Sequence, residues 1–105
     1  MNDGYSVIIT TASNEEEAKK IIDSLLGKQL AACIQMFPVN SFYSWMGEIC
    51  NDSEVSLSIK CKSILFDEIK DDIISNHSYE VPEIILLPIK NGFVDYLRWI
   101  DEVSK

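Results

Sequence analysis

The chain has 105 residues, of which 47% are hydrophobic and 25% are charged. This length and composition are typical of one globular domain, here residues 1–105, and not of a disordered chain. Nine Lys and Arg residues stand against 17 Asp and Glu residues, so the net charge is −8. An acidic surface repels phosphate groups, which argues against nucleic-acid partners and against binding to anionic membranes.

No hydrophobic run approaches the roughly 20 residues that a membrane-spanning helix needs. The first four residues carry no basic group, so we expect no signal peptide. The three cysteines are odd in number and form no C-x-x-C pair, which argues against a disulfide framework. We therefore expect a cytoplasmic protein, because a reducing compartment suits unpaired thiols.

The first predicted elements are a strand and a helix. Residues 5–11 are β-branched or aromatic almost throughout, which indicates a buried strand. Ser13 with Glu16, or Asn14 with Glu17, then has the spacing of a helix capping box. Apolar residues recur on one helical face after it.

Two long strands are predicted next. Residues 30–45 have a strand pattern that contains Pro38, so we expect a bulge, a bend or a sheet edge there. From Val55 to Lys62 the odd-numbered residues are apolar and the even-numbered ones are Ser or Lys. This alternation predicts a strand with one core face and one polar face.

The C-terminal half adds a helix, a strand and another helix. Ser63 is the predicted N-cap of the second helix, and Pro82 and Pro88 bracket a short strand. The last helix is expected to dock through Tyr96, Trp99, Ile100 and Val103. The element order is β-α-β-β-α-β plus a terminal helix, which predicts an α+β, ferredoxin-like fold.

In such a fold two helices cover one face of a four-stranded antiparallel sheet, and the other face stays open. Five aromatic residues are left for that open face: Phe42, Tyr43, Trp45, Tyr96 and Trp99. A monomer would expose an apolar patch larger than monomers usually carry. We therefore expect a homo-oligomer that covers this face.

Four motifs then occur in order along the chain. They are Leu30-Ala31-Ala32-Cys33, the segment from Ser41 to Glu48, the segment from His77 to Glu83, and Tyr96-Leu97-Arg98-Trp99, with Glu54 and Ile59-Lys60 between them. In this combination the chain resembles the CutA family, the divalent-cation tolerance proteins, over nearly its whole length. The resemblance implies a cytoplasmic homotrimer, similar in fold to the P-II signalling proteins. It also implies a non-catalytic role in tolerance of copper and other divalent metals.

The resemblance places copper ligands at Thr10, Asn76 and His77. The family has Cys at the first of these positions and His at the second, so only His77 keeps a donor that copper prefers. Two interpretations of His77 remain open. It is either a metal ligand or a loop residue beside the negative end of the second helix. No cofactor is required, and Cu(II) or another divalent cation is the metal to test.

The remaining motif residues combine aromatic and polar side chains. They are candidates for an inter-subunit cleft that holds a small ligand or a metal: Tyr43, Trp45, Glu48, Lys60, Tyr79, Glu83, Tyr96 and Trp99. Lys60 needs an acidic partner, for which Glu48 or Glu83 is available. The alternative is that all eight are ion pairs and aromatic contacts of a subunit interface.

Other polar groups have plainer interpretations. Residues 15–17 are assigned to helix capping, and Asp71 and Asp72 to a solvated helix face, because neighbouring helical carboxylates do not converge. Cys33 and Cys61 are expected in the core and Cys50 near the surface.

Three other functions share some of these sequence features. A trimeric scaffold or P-II-like signalling module without a metal role has the same sequence features. An acylphosphatase-like hydrolase is remote, because the chain has a single Arg, Arg98, and no Gly-rich anion loop after the first strand. An RNA-recognition domain needs aromatic and basic residues on the third strand, where this chain has mostly serines.

Overall fold

The structure is a computed structural model that describes residues 4–105. Its elements in chain order are β1 Tyr5–Ala12, α1 Glu15–Gly27, β2 Cys33–Trp45, β3 Glu48–Lys62, a 3-10 turn Ser63–Leu65, α2 Phe66–Ser75, β4 Ile84–Pro88 and α3 Val94–Val103. The strands pair antiparallel in the order β2-β3-β1-β4. The predicted α+β, ferredoxin-like fold is confirmed.

The core lies between the sheet and the two helices α1 and α2. The predicted alternation of β3 is confirmed, because Leu57, Ile59 and Cys61 are fully buried on the helix side. Ile8 on β1 stands between Ile59 and Leu86 in the sheet register. The helices contribute a matching apolar stripe that includes Ala18, Ile21, Leu25, Ile69 and Ile73. The strand period of two and the helical period of 3.6 therefore meet in one apolar layer.

The opposite face of the sheet is covered only at one end, by α3. Asp101 on this helix accepts a hydrogen bond from the Tyr5 hydroxyl and lies 3.9 Å from the Lys62 ammonium. The predicted docking of α3 is corrected in part. Ile100 is buried as expected, but the second buried residue is Leu97, while Tyr96 and Trp99 remain exposed. No helix within residues 4–105 is both long and apolar enough to cross a bilayer.

The β2–β3 hairpin extends well beyond the rest of the sheet. β1 pairs with β3 only from Val55 to Lys62, whereas β2 pairs with β3 along its whole length. Residues 39–54 therefore form a two-stranded ribbon, which gives the molecule a long dimension of 44 Å. Pro38 lies on β2, the outermost strand, so a sheet edge is the explanation that holds for it.

Local capping follows half of one predicted scheme, because the Glu17 carboxylate accepts from the Ser13 backbone N–H and not from that of Asn14. The Asn14 side chain accepts a 2.8 Å hydrogen bond from the Glu17 backbone N–H, so Asn14 is the N-cap of α1. The prediction for Ser63 is wrong, because α2 begins at Phe66 after the 3-10 turn. The Ser63 hydroxyl instead lies 2.5 Å from the Ser6 hydroxyl and joins the turn to β1.

One acidic residue lies in the helix layer. The predicted solvated face holds for Asp71 but is wrong for Asp72, whose side chain is only 5% exposed. One Asp72 oxygen lies 2.5 Å from the Lys28 ammonium at the end of α1, and the other has no hydrogen-bond partner within residues 4–105. A buried carboxylate is costly unless it is paired. Lys28 therefore joins the two helices.

We expect Lys28→Met to lower the free energy of unfolding by about 1–3 kcal/mol, because it leaves a buried carboxylate without its donor. Urea denaturation at fixed chain concentration measures the change. Lys19→Met is the matched control, since Lys19 pairs with Glu15 at an exposed position of the same helix. The control should change stability by less than about 0.5 kcal/mol. Equal effects of the two substitutions would contradict the role given to Asp72.

Candidate functional site

The loop after α2 is attached to the end of β1 through His77. The His77 side chain is fully buried, and its Nε2 lies 2.6 Å from the Thr11 carbonyl oxygen. A carbonyl only accepts hydrogen bonds, so Nε2 is the donor. Nδ1 in turn accepts a 3.1 Å hydrogen bond from the Tyr79 backbone N–H. Both ring nitrogens of a neutral imidazole are therefore already engaged.

The same loop is attached to α1 through Glu17. One carboxylate oxygen accepts from the backbone N–H and the hydroxyl of Ser13, at 2.8 and 3.0 Å. The other accepts from the Ser78 backbone N–H at 2.7 Å. Burial alone would raise the pKa of this carboxyl, but the hydrogen bonds from Ser13 and Ser78 outweigh it and lower the pKa to about 2. Glu17 thus connects three segments of chain while ionised.

Tyr79 continues this set of contacts towards β3. Its hydroxyl donates a 2.6 Å hydrogen bond to Glu54, and its ring centroid lies 4.7 Å from that of His77. Burial and the Glu54 carboxylate together raise the pKa of Tyr79. Two residues earlier on β3, Asp52 accepts from the Tyr43 hydroxyl and raises the pKa of Tyr43 to about 12. Both tyrosines are therefore protonated donors at neutral pH.

A polar cavity of about 470 Å³ lies beside this loop, between residues 13–20 and residues 75–78. Its wall includes two carboxylates, one ammonium group, three hydroxyls and two amides, with His77 at one side. The charges are mixed, so the cavity does not present the concentrated positive field that an anion needs.

The three positions that correspond to the family's copper ligands do not form a metal site in this structure. Thr10 is fully buried on the helix side of β1, and its hydroxyl has no hydrogen-bond partner within residues 4–105. The Asn76 amide donates to the Asp72 carbonyl oxygen at 2.9 Å. In the same range no three His, Cys, Asp or Glu side chains come close enough together to hold a metal ion. A ligand role of His77 would require the hydrogen bond at one of its ring nitrogens to break, and it stays a prediction.

The predicted cleft residues lie in three separate parts of the subunit. Tyr43, Trp45 and Glu48 lie towards the tip of the β2–β3 ribbon. Tyr79 and Glu83 belong to the loop between α2 and β4. Three further residues lie at or near the end of the sheet that α3 covers: Lys60, Tyr96 and Trp99. Within residues 4–105 the eight residues are therefore spread over separate elements of the chain.

Lys60 shows the separation most clearly. Its ammonium donates to the Gln35 side-chain oxygen at 2.5 Å, and neither Glu48 nor Glu83 forms an ion pair with it within the described range 4–105. Glu48 is twelve residues away along β3, or about 40 Å in an extended strand. An ion pair between Lys60 and Glu48 could therefore form only between two different chains.

Tyr96 and Trp99 contact each other, with ring centroids 5.7 Å apart. Burial and the neighbouring Cys33 raise the pKa of Tyr96.

The expectation that Cys33 is a core residue is wrong, because it pairs with Lys60 and is half-buried on the less covered face. The expectation for Cys61 is confirmed. Its burial raises the pKa of the thiol to about 12, which makes it unreactive.

Two residues of this region, Glu17 and Glu54, make contacts with distant residues that their sequence pattern does not indicate. The sequence predicts a capping role for Glu17, which is correct for its backbone N–H, but its carboxylate also accepts from Ser78, 61 residues later. Glu54 lies between two of the sequence motifs, and its carboxylate accepts a hydrogen bond from the Tyr79 hydroxyl. Its polar character on a strand was the one signal available.

The sequence was compared with known protein families. The profile of the CutA1 divalent ion tolerance protein matches residues 6–103, nearly the whole chain. The chain belongs to this family. The predicted resemblance is confirmed.

Relatives in this family come from distant organisms. The divalent-cation tolerance protein CutA of Archaeoglobus fulgidus is 41% identical over 98 residues, which cover 93% of this chain and 96% of that protein. Protein CutA of Homo sapiens is 41% identical over 101 residues, which cover 95% of this chain but only 56% of the human protein. The chain thus spans the archaeal relative and about half of the human one.

Solved structures agree with the fold. The periplasmic divalent cation tolerance protein CutA from Archaeoglobus fulgidus superposes with a TM-score of 0.94 at 40% identity, covering 96% of this chain and 99% of that one. CutA1 from Oryza sativa gives a TM-score of 0.95 at 35% identity, covering 99% and 96% of the two chains. The names of the Archaeoglobus fulgidus proteins describe tolerance of divalent cations, and none of these four names describes an enzymatic reaction.

We expect Glu17→Gln to destabilise the protein at neutral pH. Its amide NH₂ group would face a backbone N–H of Ser13 or Ser78, and two donors cannot form a hydrogen bond. A carboxyl whose pKa is lowered from 4.5 to about 2 stabilises the fold above its unfolded pKa and loses that effect as the pH falls from about 5 to 2. The variant should therefore lose about 1–3 kcal/mol at pH 7 and clearly less at pH 3.

Urea denaturation at the two pH values measures this difference. Glu16→Gln is the matched control, since Glu16 is an exposed neighbour in the same helical turn. A deficit of the same size at both pH values would argue against an ionised Glu17 as the source of the stabilisation.

Proposed function

We propose that this chain is a non-catalytic, homotrimeric divalent-cation tolerance protein that binds metal ions or a small ligand in clefts between subunits. The membership of the CutA1 family supports the tolerance role. The observation that supports the proposed trimer is the partly uncovered sheet face together with the protruding ribbon. We also propose a cytoplasmic location from the unpaired cysteines, although the Archaeoglobus fulgidus relative is described as periplasmic.

The uncovered face is apolar along its β4 edge and its β2 edge. Ile85, Leu87 and Phe37 are each close to half exposed, and by register they share the face that is turned away from α1 and α2. Monomeric proteins seldom leave such a surface in contact with water. A neighbouring copy of the chain would cover this surface.

The ribbon supports the same conclusion from a different argument. Phe42, Trp45, Met46 and Ile49 are exposed near its tip, and Met46 is 90% exposed. A two-stranded hairpin of this kind is marginally stable in water without a third strand or a covering element. Contact with another subunit supplies that cover and brings the ribbon residues close to the loop and sheet residues of the neighbour.

A trimeric scaffold or signalling module without a metal role remains the second candidate. The hydrogen bonds of His77 favour it, because they leave no free imidazole nitrogen for copper. The two candidates share the assembly and differ only in whether a cation binds, so the two experiments below are independent.

The assembly predicts that the chain elutes with three times its mass of 11.9 kDa in size-exclusion chromatography with light scattering. Leu87→Glu should convert the trimer to a monomer, because it places a carboxylate on the buried interface. Ile64→Glu is the control, since Ile64 is 88% exposed in the 3-10 turn outside the sheet. A wild-type monomer at micromolar concentration would refute the assembly, as would equal dissociation in both variants.

For the metal, we expect His77→Gln to leave the affinity for Cu(II) unchanged in calorimetric titration, because both imidazole nitrogens serve the fold. A loss of about tenfold, equivalent to about 1.4 kcal/mol, would instead establish His77 as a ligand. Cys50→Ser is the companion variant, because Cys50 is a half-buried thiol on the ribbon and thiolate also binds copper. Absence of Cu(II) binding in the wild-type protein would favour the scaffold.

A further inference from the structure

The connection between β4 and α3 contains the pair Asn91-Gly92. Both residues are exposed and lie outside any helix or strand. The segment is held at its two ends, where Ile89 donates to the Tyr5 carbonyl oxygen and Leu97 donates to that of Phe93. Among the backbone and side-chain hydrogen bonds of residues 4–105, none involves the Gly92 N–H or the Asn91 amide.

An asparagine followed by glycine can lose its amide without an enzyme. The backbone nitrogen of the glycine attacks the asparagine Cγ, the Cγ–Nδ2 bond breaks, and ammonia leaves with the proton from the backbone nitrogen. Water then opens the resulting succinimide at either carbonyl, giving aspartate or isoaspartate. The attack needs a backbone nitrogen that is free of hydrogen bonds and a following residue without a Cβ, which restricts the approach least.

We propose that Asn91 is a site of spontaneous deamidation in the folded protein. The structure meets both requirements at this position, since the Gly92 nitrogen is free of hydrogen bonds and Gly92 carries no Cβ, and the segment is exposed and lies outside any helix or strand. This proposal rests on the local chain alone and does not depend on the proposed function.

Asn76-His77 provides an internal contrast. The Asn76 amide donates to the Asp72 carbonyl oxygen at 2.9 Å, and the His77 backbone N–H donates to that of Ile74 at 3.3 Å. Both groups that the reaction needs are therefore occupied, and the His77 side chain is buried. The fold protects one asparagine and leaves the other free.

The change at Asn91 acts on α3. The N-cap position of this helix is Phe93, which offers no side-chain hydrogen bond to the first turn. Aspartate at position 91 adds negative charge near the positive end of the helix, which is favourable. Isoaspartate instead adds a methylene group to the backbone between β4 and α3. The two products are therefore expected to differ in how firmly α3 docks through Leu97 and Ile100.

The experiment is a time course of the folded wild-type protein at mildly alkaline pH, followed by peptide mapping with mass spectrometry. Deamidation at Asn91 should exceed that at Asn76 by about tenfold or more, with separate aspartate and isoaspartate peaks. Gly92→Ala should slow the reaction at Asn91 by about tenfold, because its Cβ hinders ring closure.

The alanine is accommodated without strain. Its Cβ would lie 3.4 Å from the Leu97 side chain, and the φ of Gly92 is outside the left-handed region. Circular dichroism checks that the variant folds. Equal deamidation at Asn91 and Asn76 would overturn the proposal. So would a rate at Asn91 that rises about tenfold in urea, because the fold would then be protecting this residue as well.

Discussion

β3 pairs over a longer stretch with β2 than with β1, and this difference determines which part of the chain forms a core. β3 pairs with β2 from Glu48 to Lys60, but with β1 only from Val55 onward. Where three strands meet, the alternating side chains of β3 have helices to pack against, and the core forms. Where only two meet, most ribbon residues are exposed, and none of residues 39–54 is buried. Helices therefore cover one face of the sheet, whereas the ribbon and much of the other sheet face stay exposed.

The loop after α2 is attached to the rest of the chain mainly by hydrogen bonds, most of them partly buried. Glu17, His77 and Tyr79 connect α1, β1 and β3 to this loop within a few residues. Each such bond stabilises a fold by about 1 kcal/mol, but a buried group that loses its partner costs about 1–3 kcal/mol. Removing any one of these three side chains should therefore destabilise the fold by more than a single hydrogen bond contributes. An imidazole that fixes the loop in this way cannot offer the same lone pair to a metal.

Local regularities were predictable from the sequence, and long-range pairing was not. The alternation of Val55 to Lys62 and the Asn14 cap follow from spacing within a few residues, and the structure confirms both. The contact of Glu17 with Ser78 leaves no such trace, because it depends on how two distant segments meet. The Asp72 side chain is buried for the same reason, since Lys28 approaches it from the other helix.

The distribution of charge indicates which kind of partner suits the sheet face that α1 and α2 leave uncovered. Residues 15–16 and 67–68 place carboxylates in the first turns of α1 and α2, where the helix dipole stabilises them, so a large part of the −8 charge needs no other explanation. Glu48 and Glu83 have no ion-pair partner among the residues that the structure describes. Within residues 4–105 Lys60 has only the neutral Gln35 as an acceptor, and an ammonium group has three donors to satisfy. Because no ion pair joins Lys60 to Glu48 or Glu83 within this range, the proposed contact between copies is an arrangement that would pair these groups while covering the apolar surface around them.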